Sequence, residues 1–302
     1  MLITRDWLLT ETPMSRGQAA WGRRYRLWLQ FRHNKLAMAG LIIAVLLILL
    51  SLLAPVLATY DPGAQDLGNR LARPSAAHWL GTDELGRDVY SRLLYGGRIT
   101  LGMVVAVVIL VAPLGLAIGC VAGYAGGIWD RLLMRVTDIF LVLPWLVLML
   151  TLAALLGPSL ANIIAVIGLT GWTGTARIVR AQTLSVKERP FVERAVALGA
   201  GDLHVIRRHV LPNVFSLIFA NTVLVIAVTI LSETSLSFLG MGDPASVSWG
   251  SMLYHAFDSG AAALGANWYL LPPGLCVVGA VMAFTFVGQA LDEVLNPRVR
   301  GE

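Results

Sequence analysis

The chain has 302 residues, of which 57% are hydrophobic and 14% are charged. Soluble globular proteins average about 45–50% apolar and about 25% charged residues, so the composition excludes a soluble enzyme. The mean hydropathy of +0.72 also excludes an intrinsically disordered chain, which needs low hydrophobicity and high charge. The composition therefore predicts a membrane protein, and the apolar runs predict how often it crosses the bilayer.

Residues 1–35 form a basic segment ahead of the first apolar run, residues 36–58. That run exceeds the roughly 20 residues that a helix needs to cross a bilayer, and it ends at Thr59-Tyr60-Asp61-Pro62-Gly63. A cleavable signal peptide is the alternative, but its apolar region is only about 7–15 residues long, so we expect the span to remain in the protein. A second span is predicted over residues 99–121, with a kink at Pro113, which lacks a backbone N–H.

Four further apolar runs complete a prediction of six transmembrane helices in an all-α, polytopic fold. The third helix contains Pro144, and its first turns carry Arg135 and Asp138, which are spaced to pair with each other. The fourth is short and interrupted by glycines. These four spans are residues 132–156, 160–176, 214–239 and 269–289.

The distribution of lysine and arginine predicts the orientation, because these residues favour the cytoplasmic side in short loops. Seven basic residues lie in residues 1–35 and seven in the loop 177–213, whereas the loop 240–268 has none. The loop 59–98 contains five arginines, but five acidic residues balance them. We therefore expect both termini, including the tail 291–302, in the cytoplasm. Six spans in this layout are typical of a transporter or a channel.

The remaining composition argues against other partners. Cys120 and Cys276 each lie inside an apolar run, which predicts small core residues rather than a disulfide or a metal site. A net charge of +5 suits nucleic acid only as a basic patch on a soluble surface, and here the basic residues flank apolar runs. We expect a lipid bilayer as partner, no nucleic acid, and no metal or cofactor in this chain.

The cytoplasmic loop 177–213 is predicted to form an amphipathic helix-turn-helix. Gly199 and Gly201 separate two helical stretches. In the first, Phe191, Ala195 and Leu198 recur with helical spacing on one apolar stripe. In the second, Asp202 is placed as the N-cap, and Pro212 is expected to end the helix before the fifth span. Periodicity alone leaves open a solvated loop that only enforces topology.

A sequence pattern favours a functional loop. Glu193-Arg194-Ala195, then Gly199, then Val210-Leu211-Pro212 resembles the EAA loop of ABC importer permeases, although Arg194 and His209 depart from the family pattern. In that family the loop forms a coupling helix that docks on the ATPase. The resemblance implies that the docking residues here are Glu193, Ala195, Leu198, Gly199, Asp202, Leu211 and Pro212.

The chain does not contain its own ATPase motif. A P-loop needs Gly-Lys-[Ser/Thr], so that the lysine and backbone N–H groups hold the phosphates. Lys35 and Lys187 are the two lysines of the chain, and neither follows a glycine. We therefore expect this chain not to be an enzyme, and expect ATP and Mg²⁺ to bind to partner ATPase subunits.

The outer loop 59–98 carries a second family pattern. Residues 80–98 resemble the Leu-Gly-Thr-Asp-x-x-Gly-Arg-Asp-x-x-Ser-Arg signature of the C-type, second permease of dipeptide, oligopeptide and nickel importers. We expect a turn and a short amphipathic helix, with Asp88 and Arg92 paired, and we favour a brace over a gate. The motif residues are Gly81, Thr82, Asp83, Gly86, Arg87, Asp88, Ser91 and Arg92. Further matching stretches are Gly123-Tyr124-Ala125-Gly126-Gly127, Ser235-Leu236-Ser237-Phe238-Leu239-Gly240, Trp249-Gly250-Ser251-Met252-Leu253 and Asn296-Pro297-Arg298.

The resemblance implies a type I importer fold, with a five-helix permease core over residues 99–290, in the bacterial cytoplasmic membrane. It implies a different, homologous second permease, two ATPase subunits or domains, and an extracytoplasmic substrate-binding protein. Di- and oligopeptides are the expected cargo, with nickel chelates or glutathione as alternatives. A secondary transporter or channel that needs no ATP is the rival class.

Glu233 is the ionisable residue inside the fifth apolar run. Such a group is costly at membrane depth and usually faces a cavity or a partner. Two interpretations stay open: Glu233 snorkels or pairs with an arginine of a partner chain, or it lines the translocation path and favours the cationic amino terminus of a peptide.

Overall fold

The structure is a computed structural model that describes residues 15–295, without the side chains of Arg16 and Ser216. The described residues form helices and one isolated β-bridge, between Thr82 and Asp88, but no strand. The all-α prediction is therefore confirmed. The helices are α1 (Arg16–His33), α2 (Lys35–Leu52), α3 (Ala54–Leu57), α4 (Val89–Ala125), α5 (Gly127–Val142), α6 (Trp145–Leu156), α7 (Leu160–Lys187), α8 (Pro190–Ala197), α9 (Asp202–Val205), α10 (Leu211–Leu236), α11 (Trp249–Asp258) and α12 (Asn267–Leu295). A 3₁₀ turn covers Leu67–Asn69, and π-helical turns cover Ile206–Val210 and Ser237–Met241.

Five described helices are long and apolar enough to cross a membrane, and a pair of helices with a sharp bend between them makes six if the pair is counted as one span. The five are α2, α4, α7, the segment Leu217–Met241 and α12. The pair is α5 and α6, whose axes differ by 91°. Leu143, at the break, has extended backbone with ψ 135°, because the ring of Pro144 disfavours helical geometry in the preceding residue. The third span is thus sharply bent rather than one kinked helix.

Three predicted boundaries differ from the structure. The first span is interrupted at Leu53, and Pro55 lies in the first turn of the separate α3. The amphipathic residues 89–98 are not a separate helix but the first turns of α4. The fourth span is not short, because α7 continues to Lys187 and includes much of the predicted loop 177–213.

Charged residues on α7 allow that helix to extend beyond its apolar part. Arg180 Nη2 donates to Asp130 Oδ2 of α5 at 2.7 Å. Arg177 Nη2 donates to Asp138 Oδ1 at 2.5 Å. Asp138 therefore pairs across to α7, and the expected pair with Arg135 on its own helix is replaced. These contacts hold the bent third span against α7.

Glycines allow α4 and α7 to approach closely. Gly115, Gly119 and Gly123 recur every four residues and so lie on one side of α4. A Cβ atom built on Gly119 would lie 2.5 Å from the carbonyl oxygen of Ala176 on α7. Small residues at this spacing let helix backbones pack closely in membranes. The α4–α7 pair forms the centre of the helical core.

Enlarging this contact is expected to separate the two helices. We predict that Gly119→Val destabilises the protein by about 1–3 kcal/mol, the usual cost of overpacking. Gly102→Val is the matched control on the same helix, since no atom lies within 4 Å of its Cβ position. Thermal unfolding in detergent, followed by size-exclusion chromatography, measures both variants. Equal stability of the two variants would contradict the close packing.

Candidate coupling loop, outer brace and pathway cavity

After α7, the predicted coupling loop continues with α8, which ends in a glycine cap. Pro190 starts α8, where its missing N–H is not needed. At the other end Gly199 has φ 88°. The N–H of Gly199 donates to Val196 O at 2.9 Å, and that of Ala200 donates to Ala195 O at 3.0 Å. This pair of bonds is a Schellman motif, which favours glycine at the left-handed position.

The surface of α8 divides into a packed side and an exposed side. Val192 is buried in an apolar cluster with Val186, Val205 and Val210. The predicted stripe instead points away from the protein, since Leu198 is 88% exposed and Phe191 is 38% exposed. A shallow concavity of about 480 Å³ lies beside it, lined by Ala195, Leu198, Gly199, Ala200, Gly201 and His204. Glu193 is also exposed on α8.

The second half of the loop differs from the predicted helix-turn-helix. Pro212 does not end a helix, because α9, the π turn and α10 are continuous in sequence. A π turn precedes the proline and lets the helix continue through it. In this turn the N–H of Leu211 donates to Ile206 O, five residues back. Asp202 is not the N-cap, a position that Gly201 occupies. Instead, Asp202 Oδ1 accepts a hydrogen bond from Tyr124 Oη at 3.0 Å.

These contacts connect the loop to the spans. Asp202 is held by Tyr124 at the end of α4, and Lys187 Nζ donates to the Tyr124 carbonyl oxygen at 2.7 Å. The chain after Asp202 continues directly into α10. The loop is therefore in direct contact with α4 and α7 and continuous with α10.

The outer motif is built around the buried carboxylate of Asp83. Its Oδ1 accepts from the backbone N–H groups of Leu85 at 2.9 Å and Arg87 at 2.8 Å. Its Oδ2 accepts from Arg87 Nε at 2.6 Å. Arg92 Nε lies 3.2 Å from the same oxygen, as an ion pair without the alignment of a hydrogen bond. Arg87 also pairs with Glu84, at 2.6 Å.

Asp88 has a different role from the predicted pair with Arg92. It is the N-cap of α4, accepting from the N–H of Ser91 at 2.8 Å, and it contacts His78 Nδ1 at 3.0 Å. Arg92 turns instead to Asp83 and donates to Pro62 O at 2.9 Å. The cap satisfies a free N–H group at the helix start, which a pairing with Arg92 would not do.

The remaining motif residues fix the turn. Gly86 has φ 75°, and a Cβ atom there would lie 1.7 Å from the carbonyl oxygen of Asp66. Gly81 has φ 67°. Thr82 Oγ1 accepts from the N–H of Ala72 at 2.8 Å and donates to Asn69 O. The motif thus ties residues 59–88 to the start of α4.

The helix α11 closes over this brace from the other side. Trp249 Nε1 donates to Leu93 O at 3.0 Å, and its backbone N–H donates to Thr100 Oγ1 at 3.2 Å. Burial lowers the pKa of His255 on α11, and the nearby Arg87 and Arg92 act in the same direction against the raising effect of Glu84 and Asp83.

A cavity lies where the third span bends, which the sequence did not indicate. Its volume is about 560 Å³ and it opens to the surface between α4, α5, α6, α7 and α10. Asn221 Nδ2 donates to Thr175 Oγ1 at 3.1 Å in its wall. The other polar lining residues are Thr170, Thr173, Thr229 and Ser232. Pro144, which lines this cavity, was noted in the sequence only as a residue of the third span.

Glu233 does not line that cavity. Its side chain is fully buried, and its Oε1 accepts a hydrogen bond from Ser237 Oγ at 2.9 Å. The neighbouring Ser232 faces the cavity instead. Gly250 of α11 packs directly over the site, 2.7 Å from Ser237 Cβ at its Cβ position. In this single chain a hydroxyl group of the same helix holds the carboxylate, and both interpretations of Glu233, contact with a partner chain and contact with cargo, stay predictions.

The described part of the chain also contains no group of three or more histidine, cysteine or acidic residues that could hold a metal ion. Cys120 is buried and Cys276 is half-buried, and both are free thiols. Asn296-Pro297-Arg298 and Arg5 lie outside the described residues.

Comparison with known proteins gives a family. Residues 115–301 match the model of binding-protein-dependent transport system inner membrane components, and residues 24–74 match the N-terminal TM domain of oligopeptide transport permease C.

The relatives cover most of this chain. The dipeptide transport system permease protein DppC of Bacillus subtilis (strain 168) is 38% identical over 90% of this chain and 85% of its own length. The oligopeptide transport system permease protein OppC of that strain is 38% identical over 90% and 88%. The glutathione transport system permease protein GsiD of Escherichia coli O157:H7 is 35% identical over 98% of each chain. The chain therefore belongs to the binding-protein-dependent inner membrane permeases, with the type I importer fold, and is a permease subunit of an ABC importer rather than an enzyme.

Proposed function

We propose that this chain forms half of the translocation pathway for di- and oligopeptides or peptide-like solutes. The cavity at the Leu143–Pro144 bend carries this proposal, because it is large, opens to the surface, and has a mostly apolar wall with a few hydroxyl and amide groups. A second permease, homologous but different, completes the pathway from the open side. The names of the relatives, for dipeptide and oligopeptide transport, support the cargo.

The coupling loop is the proposed contact with the ATPase. Its exposed apolar residues, Leu198 and Phe191, flank a shallow concavity, and large exposed apolar side chains near a concavity are typical of interaction sites. Two ATPase subunits or domains bind ATP and Mg²⁺ and move the loops. That movement tilts α10 and the bent third span, so that cargo delivered by a binding protein outside is released inside.

Both termini are proposed to lie in the cytoplasm, with α11 and the outer motif on the other side. The basic residues of loop 177–213 support this orientation. The outer motif is proposed as a brace rather than a gate, because its charged groups are buried and paired within the chain. An opening gate would have to break the ion pairs and backbone hydrogen bonds of Asp83, and a buried charge that loses its partner is strongly destabilising.

Cargo is tested in liposomes that contain the assembled complex and the cognate binding protein. We expect ATP-dependent uptake of labelled di- or oligopeptide, competed by peptides of different side chains. Glutathione is the second candidate, since a glutathione permease matches 98% of this chain. Selective uptake of glutathione or of nickel chelates would replace the peptide assignment, and uptake without ATP would refute the importer mechanism.

A bulky residue in the cavity is expected to obstruct transport. Val228 lines the cavity and is 60% exposed, so Val228→Trp fits the fold but fills the pathway. We predict an uptake rate lowered about tenfold, equivalent to about 1.4 kcal/mol on the transport barrier. Ile109→Trp is the control, because Ile109 is 65% exposed but is not a lining residue. Equal uptake by both variants, with intact complexes, would place the pathway elsewhere.

A further inference from the structure

The helix α1 has a surface that the transport function does not use. Trp21, Arg24, Trp28 and Arg32 are spaced by three or four residues, so they share one side of α1. All four are exposed, with Trp21 at 54% and Trp28 at 44%. Arg24 lies over the Trp21 ring, 5.5 Å from its centroid. We name these four residues the Trp-Arg face.

The protein fixes where this face lies. Phe31, near the end of α1, is buried in a cluster with Ala37 of α2 and Ala290 of α12. Asn34 both ends α1 and caps α2, since its Oδ1 accepts from the N–H of Ala37 at 3.1 Å. Because α2 is the first membrane span, the chain enters the membrane just after Asn34. The end of α1 is therefore held next to the bilayer surface.

Charge and side-chain type identify what covers the face. Residues 15–35 contain six arginine or lysine residues and no acidic residue. Tryptophan is enriched at the level of lipid headgroups, where one edge of the ring is apolar and the other polar, and clustered basic residues next to a span attract anionic lipid. We propose that α1 lies on the bilayer surface, with the Trp-Arg face bound to anionic phospholipid headgroups.

The opposite side of α1 supplies a matched control. Arg23 and Arg26 are also exposed, but their positions place them on the other side of the helix from Trp28. A helix is about 10 Å across, which is about one Debye length at physiological ionic strength. Charges on the far side therefore contribute less to lipid binding than Arg24 and Arg32, although the change in net charge is the same.

The position of the face is tested on the full chain within its complex, in liposomes of phosphatidylethanolamine with phosphatidylglycerol. After Cys120→Ala and Cys276→Ala, a nitroxide is attached in Trp21→Cys or in Arg23→Cys. We expect the label at position 21 to be reached by oxygen but shielded from a water-soluble nickel chelate, and the label at position 23 to show the reverse. Equal access of the chelate to both labels would refute the proposal. Shielding of position 21 from both reagents would show that a protein covers the face, and would also refute it.

The lipid chemistry is tested by charge. Each basic residue at a membrane surface strengthens binding of anionic lipid about fivefold, so Arg24→Gln with Arg32→Gln is expected to lower the ratio of immersed to water-exposed position-21 label by about 25-fold. Arg23→Gln with Arg26→Gln is expected to shift it much less. Equal shifts in both double variants, or no change when phosphatidylglycerol is omitted, would overturn the assignment to anionic headgroups.

Discussion

Replacing Gly199 with valine is expected to weaken coupling strongly while leaving the membrane-embedded helices folded. Gly199 has φ 88°, which a β-branched residue adopts only with strain. This backbone strain costs about 1–2 kcal/mol, and it destabilises the short, exposed α8 rather than the core. The Schellman bonds to Ala195 and Val196 are therefore lost, and the exposed side of α8 no longer has one shape. Copurification of the ATPase and ATP-driven uptake are expected to fall about tenfold or more.

Gly199→Asn separates backbone strain from bulk. No atom lies within 4 Å of a Cβ at this position, so both side chains fit, but asparagine tolerates left-handed backbone. We expect the asparagine variant to retain most of its coupled uptake. Full activity of the valine variant would refute the docking assignment. Equal loss of uptake in both variants would show that coupling depends on the surface at position 199 and not on the left-handed backbone of the glycine cap.

The sequence predicted five spans that the structure shows as long apolar helices, because crossing a bilayer requires about 20 apolar residues in a row. It placed their ends less well, because charged residues were taken as limits of helices. Arg177 and Arg180 instead continue α7, since they meet Asp138 and Asp130 on a neighbouring helix. Partners this far away in sequence cannot be predicted from the local pattern around Arg177 and Arg180. The spacing of Gly115, Gly119 and Gly123, by contrast, is a pattern in the sequence that indicates close helix packing, although the contact with α7 was found only in the structure.

The candidate sites show the same division. Gly199 was expected to permit a turn, and the structure gives it left-handed backbone. The roles predicted for Asp202 and Pro212 were wrong. Asp202 accepts a hydrogen bond from Tyr124 rather than capping a helix, and a π turn lets the helix continue through Pro212 rather than end there. Glu233 was singled out by its charge, yet its surroundings are set by Ser237 and by the close approach of Gly250. Long-range contacts decided the role of Asp202 and the packing around Glu233, whereas the cap at Gly199 and the turn before Pro212 are local.

The largest loss of stability is expected from neutralising Asp83. Asp83 is fully buried and faces both Arg87 and Arg92. Asp83→Asn keeps the size of the side chain but leaves Arg92 buried without its counter-charge. Removing one partner of a buried ion pair costs about 3–5 kcal/mol. We expect a matching loss in the stability of the purified complex, measured by heating in detergent and counting the folded fraction by size-exclusion chromatography.

Two comparisons make this prediction specific to the brace. Asp61→Asn removes the same charge from an exposed position in the same loop, where its carboxylate only accepts from the N–H of Gly63 at 2.7 Å, and is expected to cost under about 1 kcal/mol. Arg92→Gln added to Asp83→Asn is expected to recover part of the loss, since the unpaired charge is then absent and contacting residues are not additive. Additive losses would mean that Asp83 acts through its backbone hydrogen bonds alone. The outer motif would then be a turn defined by glycine, threonine and the backbone hydrogen bonds of Asp83, and its ion pairs would add little to stability.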